Sequence, residues 1–113
     1  RKWKKRAIKS IKLIRGWVKK GNVNFVHSLH LLEAQLATAD GKNEKAEVSY
    51  KAAITAASTN GFIYDRALSH ELASSYFDKK GDDYWRDYHL ERCQNCYKDW
   101  GATAKIDQLT GSS

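Results

Sequence analysis

The chain has 113 residues and a formal net charge of +7, with two cysteines, four tryptophans and neither proline nor methionine. This length suits one domain with a thin core, and two cysteines three residues apart exclude a disulfide-stapled secreted scaffold. The sequence shows no signal peptide and no apolar run long enough to cross a bilayer, so we predict a cytoplasmic protein. Because the chain starts on a lysine-rich segment and lacks methionine, we expect a fragment of a larger protein.

Residues 1–20 are predicted to form a basic amphipathic helix. They contain ten of the twenty basic residues and no acid, whereas the other 93 residues carry a net charge of −3. One side of this helix is apolar and is expected to pack on the next helix. It consists of Trp3, Ala7, Ile11, Ile14 and Val18 at helical spacing, widened by Ile8 and Trp17. The alternative is that the helix binds an anionic membrane or nucleic acid. The side chains that would do so are Lys2, Lys5, Lys9, Lys12, Lys19 and Lys20.

Glycine recurs every 20 residues along the chain, at positions 21, 41, 61, 81 and 101. Because glycine accepts the left-handed conformation that ends a helix, this spacing predicts short helices separated by tight turns. The pattern also repeats after 40 residues, where Ala53 aligns with Cys93 and Asn60 aligns with Trp100. A period of this length is typical of helical-hairpin repeats.

The first hairpin is predicted over residues 22–60. Asn43 is placed to cap its second helix. Apolar residues step by three or four along each of its helices, as expected of a buried helical face. These stripes are Phe25, Leu29, Leu32 and Leu36 in the first helix and Ala46, Tyr50, Ala53 and Ala57 in the second.

The second hairpin is predicted over residues 62–100, followed by a short C-terminal helix over 102–110. Asp82 is expected to cap the second helix of this hairpin. The same steps of three or four define the buried faces. They are Leu68, Leu72 and Tyr76 in the first helix and Leu90, Cys93, Tyr97 and Trp100 in the second.

The reactive residues do not assemble a complete catalytic or metal motif. His89, Cys93 and Cys96 share one predicted helical face, but zinc needs four converging ligands and a second cysteine pair is absent. Since Cys93 falls where the repeat requires a small buried residue, we favour burial over metal or redox chemistry. His70 and Glu71 resemble the start of a zincin helix, yet serines stand where the second histidine would be sought. We therefore predict no catalytic residue, no metal and no cofactor.

Several residues of the first hairpin match the small, turn and aromatic positions of a tetratricopeptide repeat. They are Ala34, Gly41, Ala46, Tyr50 and Ala53. More specifically, four stretches resemble the helical region that follows the ATPase module in very large multi-sensor signalling kinases. These stretches are 50–54, 60–63, 70–73 and 96–106.

The resemblance implies a single all-α domain over residues 1–113. Antiparallel hairpins would stack as a short tetratricopeptide-like right-handed solenoid of about five to six helices. It also implies a non-catalytic protein–protein interaction or scaffold module in signal transduction, with kinase or ATPase chemistry in other domains. The partner would be a protein, a peptide or a neighbouring domain of the parent chain, and uncapped helical ends could pair in a homodimer. In the usual geometry the inner surface is lined by Gln35, Thr38, His70, Ser74 and Asp78.

Overall fold

The computed structural model describes residues 2–21 and 25–99, and the regular secondary structure in these ranges is helical. The helices are α1 (Lys2–Lys19), α2 (Val26–Ala39), α3 (Asn43–Thr59), α4 (Ile63–Lys80) and α5 (Asp83–Asp99). The prediction of an all-α chain is confirmed. The predicted 102–110 helix, Trp100 and the first residues of the first hairpin, 22–24, lie outside the described residues.

The helices belong to two units, Arg1–Asn60 and Gly61–Ser113. In the first unit α1 packs on α2, and α2 pairs with α3. In the second unit α4 pairs with α5. Each pair joins the two helices that the sequence pattern assigned to one hairpin. The stacking of the hairpins into a solenoid and the single domain over 1–113 stay predictions.

The turns inside the two hairpins have the same backbone geometry. Gly41 and Gly81 are left-handed, with φ of 73° and 86°. In both turns the amide after the glycine donates to a carbonyl five residues earlier, at 2.9 Å. This is the Schellman ending of a helix, which glycine adopts without a side-chain clash. The predicted glycine turns are therefore confirmed inside both hairpins, and Gly21 and Gly61 also have positive φ.

The two helix caps predicted from the sequence have different outcomes. The Trp85 backbone amide donates to Asp82 Oδ1 at 3.2 Å, so Asp82 caps α5 as predicted. Asn43 is instead the first residue of α3, and Lys42 occupies the cap position without a side-chain cap hydrogen bond. The prediction for Asn43 is wrong because the chain enters the helix one residue earlier than the capping pattern indicates.

Small side chains dominate the buried faces of the first hairpin, which favours a close approach of helices. The predicted stripe of α3 is confirmed. The stripe of α2 is only partly correct, because Phe25 is 37% exposed and two of its leucines are half-buried. The buried apolar residues of this hairpin are Leu29, Ala34, Ala37, Ala46, Tyr50, Ala53 and Ala57.

Polar and aromatic side chains dominate the buried faces of the second hairpin. Leu90 was expected in this interface but is 37% exposed, and Leu68 and Leu72 are half-buried. The interface of α5 begins one residue earlier, at His89, and continues at helical spacing. The buried residues are His70, Ala73, Ser74, Tyr76 and Phe77 in α4 and His89, Cys93, Cys96 and Tyr97 in α5, with Ala67 and Ser69 nearer the start of α4.

Candidate functional site

The five residues predicted to bind a partner differ in their exposure. Gln35 and Asp78 are exposed, Thr38 is half-buried, and His70 and Ser74 are buried. The Thr38 hydroxyl donates to the main chain of its own helix at 2.8 Å. The Ser74 hydroxyl donates across the hairpin to the main chain of α5 at 2.9 Å. His70 and Ser74 thus take part in packing within their own hairpin.

Asp78 belongs to an ion-pair cluster around Arg86, beside the turn of the second hairpin. The Arg86 guanidinium lies 2.9 Å from the carboxylate of Asp87, 3.0 Å from that of Asp83 and 3.3 Å from that of Asp78. These carboxylates raise the pKa of Arg86, and the hydrogen bond to Asp87 is the largest cause. The cluster ties the end of α4 to the start of α5, so the charge of Asp78 is already partnered.

Two histidines face each other across the second hairpin. The Nδ1 atoms of His70 and His89 are 3.0 Å apart, and both residues are buried. A hydrogen bond between these atoms needs one N–H and one lone pair, so one ring carries its proton on Nδ1 and the other on Nε2. Burial lowers the pKa of His70 to about 3, aided by His89 and by the positive charges of Arg66 and Arg92. His70 is therefore neutral at physiological pH.

Aromatic rings surround the His89 side of this pair. The Phe77 ring is stacked on the imidazole, with centroids 5.5 Å apart and planes 6° from parallel. Tyr88 meets it edge-on at 5.1 Å, and Trp85 lies at 6.2 Å in a tilted arrangement. These rings pack the histidine pair between α4 and α5.

Both cysteines are buried in the second hairpin. Cys93 is fully buried and Cys96 is 4% exposed, and they pack with Ala67 and Tyr97. Burial raises the pKa of the Cys96 thiol, although Arg66 partly opposes this effect. The less reactive thiol form therefore prevails at neutral pH. The predicted burial of Cys93 is confirmed, and within residues 2–21 and 25–99 no three His, Cys, Asp or Glu side chains are arranged to hold a metal ion.

The basic helix α1 contacts α2 along a narrow face. Ala7 and Ile11 are its buried residues, so the predicted packing of this helix on its neighbour is confirmed for a narrower face than expected. Trp3, Ile8 and Trp17 were predicted to belong to the packed face, but they are exposed because the contact with α2 is too narrow to cover them. Two ion pairs accompany this apolar contact. They join Lys4 to Asp40 and Arg15 to Glu33, the latter at 2.9 Å.

The remaining surface of α1 combines cations with large apolar side chains. Trp3, Leu13 and Trp17 are 47%, 57% and 36% exposed. The six lysines predicted to bind an anionic surface are all exposed as well: Lys2, Lys5, Lys9, Lys12, Lys19 and Lys20. This mixture is the basic face of α1, and it lies on a helix whose other side is anchored.

A groove of about 200 Å³ lies between α1, α2 and the beginning of α3. Ile8, Ile11 and Leu36 give it an apolar lining. Four cationic and two acidic side chains also line it. The ion pair between Arg15 and Glu33 is part of this lining. The lining of the groove is therefore partly apolar and carries an excess of positive charge.

Two of the cations in the groove, Lys42 and Lys45, were not singled out by the sequence patterns. Both are exposed, and both help to lower the pKa of Asp40, for which the hydrogen bond from Lys4 is the largest cause. The signal that could have found them is their place directly after the turn glycine Gly41, because a hairpin turn brings such residues beside the end of the preceding helix.

No protein-family model, curated protein or solved structure matches this chain. The resemblance to the helical region of multi-sensor kinases therefore stays a prediction. In the part of the chain that the structure describes, none of the helices is both long and apolar enough to traverse a bilayer. Function is accordingly inferred from the geometry of the two units.

Proposed function

We propose that this chain is a non-catalytic helical module that binds proteins and serves as a docking or spacer segment in signal transduction. The observation that supports the proposal is the packing of α1 on α2. This helix is held on α2 through Ala7, Ile11 and two ion pairs, while its basic face stays exposed. A basic helix fixed in this way presents positive charges in a defined arrangement, which favours an acidic partner.

The state of the reactive groups supports a binding role. Burial raises the pKa of the Tyr97 phenol, and Glu71, whose carboxylate accepts its hydrogen bond at 3.3 Å, adds to the effect. The Cys96 thiol is likewise held protonated, and His70 is held neutral against His89. Each group contributes to helix packing in its less reactive form.

The sequence resemblance supports the wider setting of the proposal. A helical segment that follows an ATPase module would sit in the cytoplasm beside enzymatic domains, and its partner would be a protein, a peptide or a neighbouring domain. Binding would then shift the orientation of the attached domains. Pairing of uncapped helical ends in a homodimer belongs to the same proposal.

The test is binding of a synthetic glutamate-rich peptide with one central leucine, followed by fluorescence anisotropy of the labelled peptide. We expect saturable binding that weakens as salt rises, because exposed charges are screened. A peptide with lysine in place of every glutamate is the control. Absence of binding at low salt would contradict the proposal. So would an ATPase, phosphotransfer or hydrolase turnover that is abolished by one substitution at His89 or Cys93.

A second candidate function is binding of an anionic membrane through the basic face of α1. The observation that favours it is the exposure of Trp3, Leu13 and Trp17 beside the lysines. Helices that lie at a membrane interface combine these side-chain types, and each basic residue near an anionic leaflet contributes about 1 kcal/mol. The exposed apolar side chains favour a bilayer over nucleic acid as the anionic partner.

Co-sedimentation with phosphatidylserine vesicles tests this candidate. The double variant Trp3→Ser, Trp17→Ser is expected to reduce vesicle binding about tenfold, because it removes the apolar side chains that would enter the interface. Tyr84→Ser is the matched control, since Tyr84 is a 71% exposed aromatic residue of the other unit. Vesicle binding that is unchanged in the double variant would remove this candidate.

A further inference from the structure

We infer that the groove between α1, α2 and α3 binds an acidic protein segment that inserts one large apolar side chain. The inference rests on the proposed function and names its partner class and its site. The groove shares Lys12 with the basic face of α1 but differs from it, because it also contains apolar residues of two helices and cations of α3 and the turn before it. Its composition points to a ligand that is both apolar and anionic.

The size of the groove selects a side chain over a whole small molecule. Its volume is about 200 Å³, whereas pockets for drug-sized ligands usually measure about 300–1,000 Å³. Of its lining residues, Ile11 is buried and Ile8 is 41% exposed. A single large apolar side chain of an extended or helical segment fits this space, with the rest of the segment outside.

The charges around the groove select an acidic segment. Its own two acids are already paired, Glu33 with Arg15 and Asp40 with Lys4. Lys12, Lys42 and Lys45 also line it, and none of these lysines has an ion-pair partner among residues 2–21 and 25–99. The lining therefore has more cations than acids, and three of its lysines form no ion pair within the described part of the chain. Positive charge around an apolar depression is the complement of glutamates or aspartates flanking a leucine or an aromatic residue.

The shape of the site favours a protein segment over a bilayer. The apolar lining lies between helices and includes the buried Ile11, so a flat lipid surface would touch the lysines but leave the depression empty. Binding of a peptide side chain would bury both parts together. Peptide recognition commonly uses one such apolar anchor with flanking polar contacts.

The double variant Lys42→Gln, Lys45→Gln tests the inference with the full 113-residue chain and the labelled glutamate-rich peptide. It removes two cations of the groove and leaves every residue of α1 intact. Since exposed charge pairs contribute modestly, we expect the dissociation constant to rise about tenfold. Lys51→Gln with Lys79→Gln is the matched control, because these exposed lysines lie on α3 and α4 and do not line the groove. Circular dichroism verifies that both variants keep their helices.

A second arm tests the apolar anchor. Replacing the central leucine of the peptide by glycine is expected to weaken binding to the unchanged chain about tenfold, because a buried leucine contributes through the apolar area it removes from water. Ile8→Ser should reduce the difference between the two peptides. Equal affinity for both peptides would overturn the insertion of a side chain.

The outcomes separate this inference from the proposed function. Weaker binding in the groove variant and unchanged binding in the matched control support the groove. Peptide binding that is equal in the groove variant and the unchanged chain overturns the groove while the interaction module stands. Binding of phosphatidylserine vesicles without any peptide binding overturns both and leaves the membrane candidate.

Discussion

The two hairpins share a turn and differ in their interiors. Gly41 and Gly81 have the same left-handed conformation, and the amide after each glycine donates to a carbonyl five residues earlier at 2.9 Å. The buried residues of α2 and α3 are mostly alanine, whereas α4 and α5 bury histidine, cysteine, tyrosine and phenylalanine. The same helix–turn–helix backbone therefore accommodates two different sets of buried side chains.

This difference in the buried side chains suggests a different role for each unit. The alanine-rich interior of the first hairpin contributes packing, and its recognisable binding features lie outside, in the groove and on the basic face of α1. The second hairpin buries titratable side chains, among them His70 and His89, which are hydrogen-bonded to each other. We therefore expect the first unit to bind a partner. In the second unit we expect the free energy of unfolding to depend on the large buried side chains and on pH.

Truncation in the second interior should have the largest effect. Tyr97 is 1% exposed and packs against the two cysteines and Ala67. Tyr97→Ala is expected to lower the free energy of unfolding by about 3–5 kcal/mol, because it leaves a cavity and removes buried apolar area. Urea denaturation followed by circular dichroism measures the change. Tyr84→Ala is the control, and an equal loss in that exposed position would contradict the assignment of the core.

Overfilling the first interior should have a somewhat smaller effect. Ala53 has no exposed surface, so a larger side chain must displace its neighbours. Ala53→Leu is expected to lower the free energy of unfolding by about 1–3 kcal/mol. Ala52→Leu, at a neighbouring position of α3 that is half-buried, is the matched control in the same denaturation assay. A stabilised Ala53→Leu variant would show that the first hairpin is loosely packed.

Acidification should weaken the second hairpin. The pKa of His70 is about 3 in the folded chain, below its ordinary value of 6.5. Below pH 6.5 the unfolded chain therefore binds a proton that the folded chain does not, so the stability due to neutral His70 is complete above 6.5 and is lost as pH falls toward 3. We expect the free energy of unfolding near pH 5 to be about 1–2 kcal/mol lower than at neutral pH.

Urea titrations at the two pH values measure this effect. His89 faces His70 directly, and the positive charges of Arg66 and Arg92 add to the cost of a charged imidazole. His70→Asn should therefore reduce the pH dependence of the unfolding free energy. His30→Asn is the control for removal of an imidazole from the first hairpin. A pH dependence that is unchanged in His70→Asn would show that the histidine pair is not its source.

Substitution of the turn glycines should have the smallest effect and should be alike in both hairpins. A Cβ atom would meet nothing within 4 Å at Gly41 or Gly81, so only the positive φ opposes a side chain. Gly41→Ala and Gly81→Ala are each expected to cost about 1 kcal/mol. Gly16→Ala, inside α1, should instead stabilise by about 0.5–1 kcal/mol. Thermal denaturation measures these changes in stability. Unequal losses of stability at Gly41 and Gly81 would contradict the equivalence of the two turns.

The helices and their pairing could be predicted because they depend on local patterns. Glycine spacing marks the turns, and steps of three or four residues mark the helices between them. The exact buried faces were harder to predict, since a small side chain such as Ala34 is fully buried in the first hairpin while Leu90, although apolar, is 37% exposed in the second. Apolar character alone does not identify the line of contact between two thin helices.

The candidate sites could be predicted in part. His70 and His89 lie on the two helices that flank the Gly81 turn, within about three turns of it, and antiparallel helices bring such residues near each other, so the sequence could have suggested their contact. The groove could not be predicted from the sequence, because it depends on where α1 packs on α2. Contacts between the helices, such as the ion pair of Lys4 with Asp40, accompany this placement, and helical spacing does not predict them.

The most direct test of the division between the two units is an NMR titration of the isotope-labelled chain with the glutamate-rich peptide. Amide chemical shifts are expected to change at Ile11, Leu36, Lys42 and Lys45, around the groove of the first unit. The amide chemical shifts of α4 and α5 are expected to stay unchanged. Changes confined to α4 and α5, with those four amides unaffected, would contradict a binding function in the first unit.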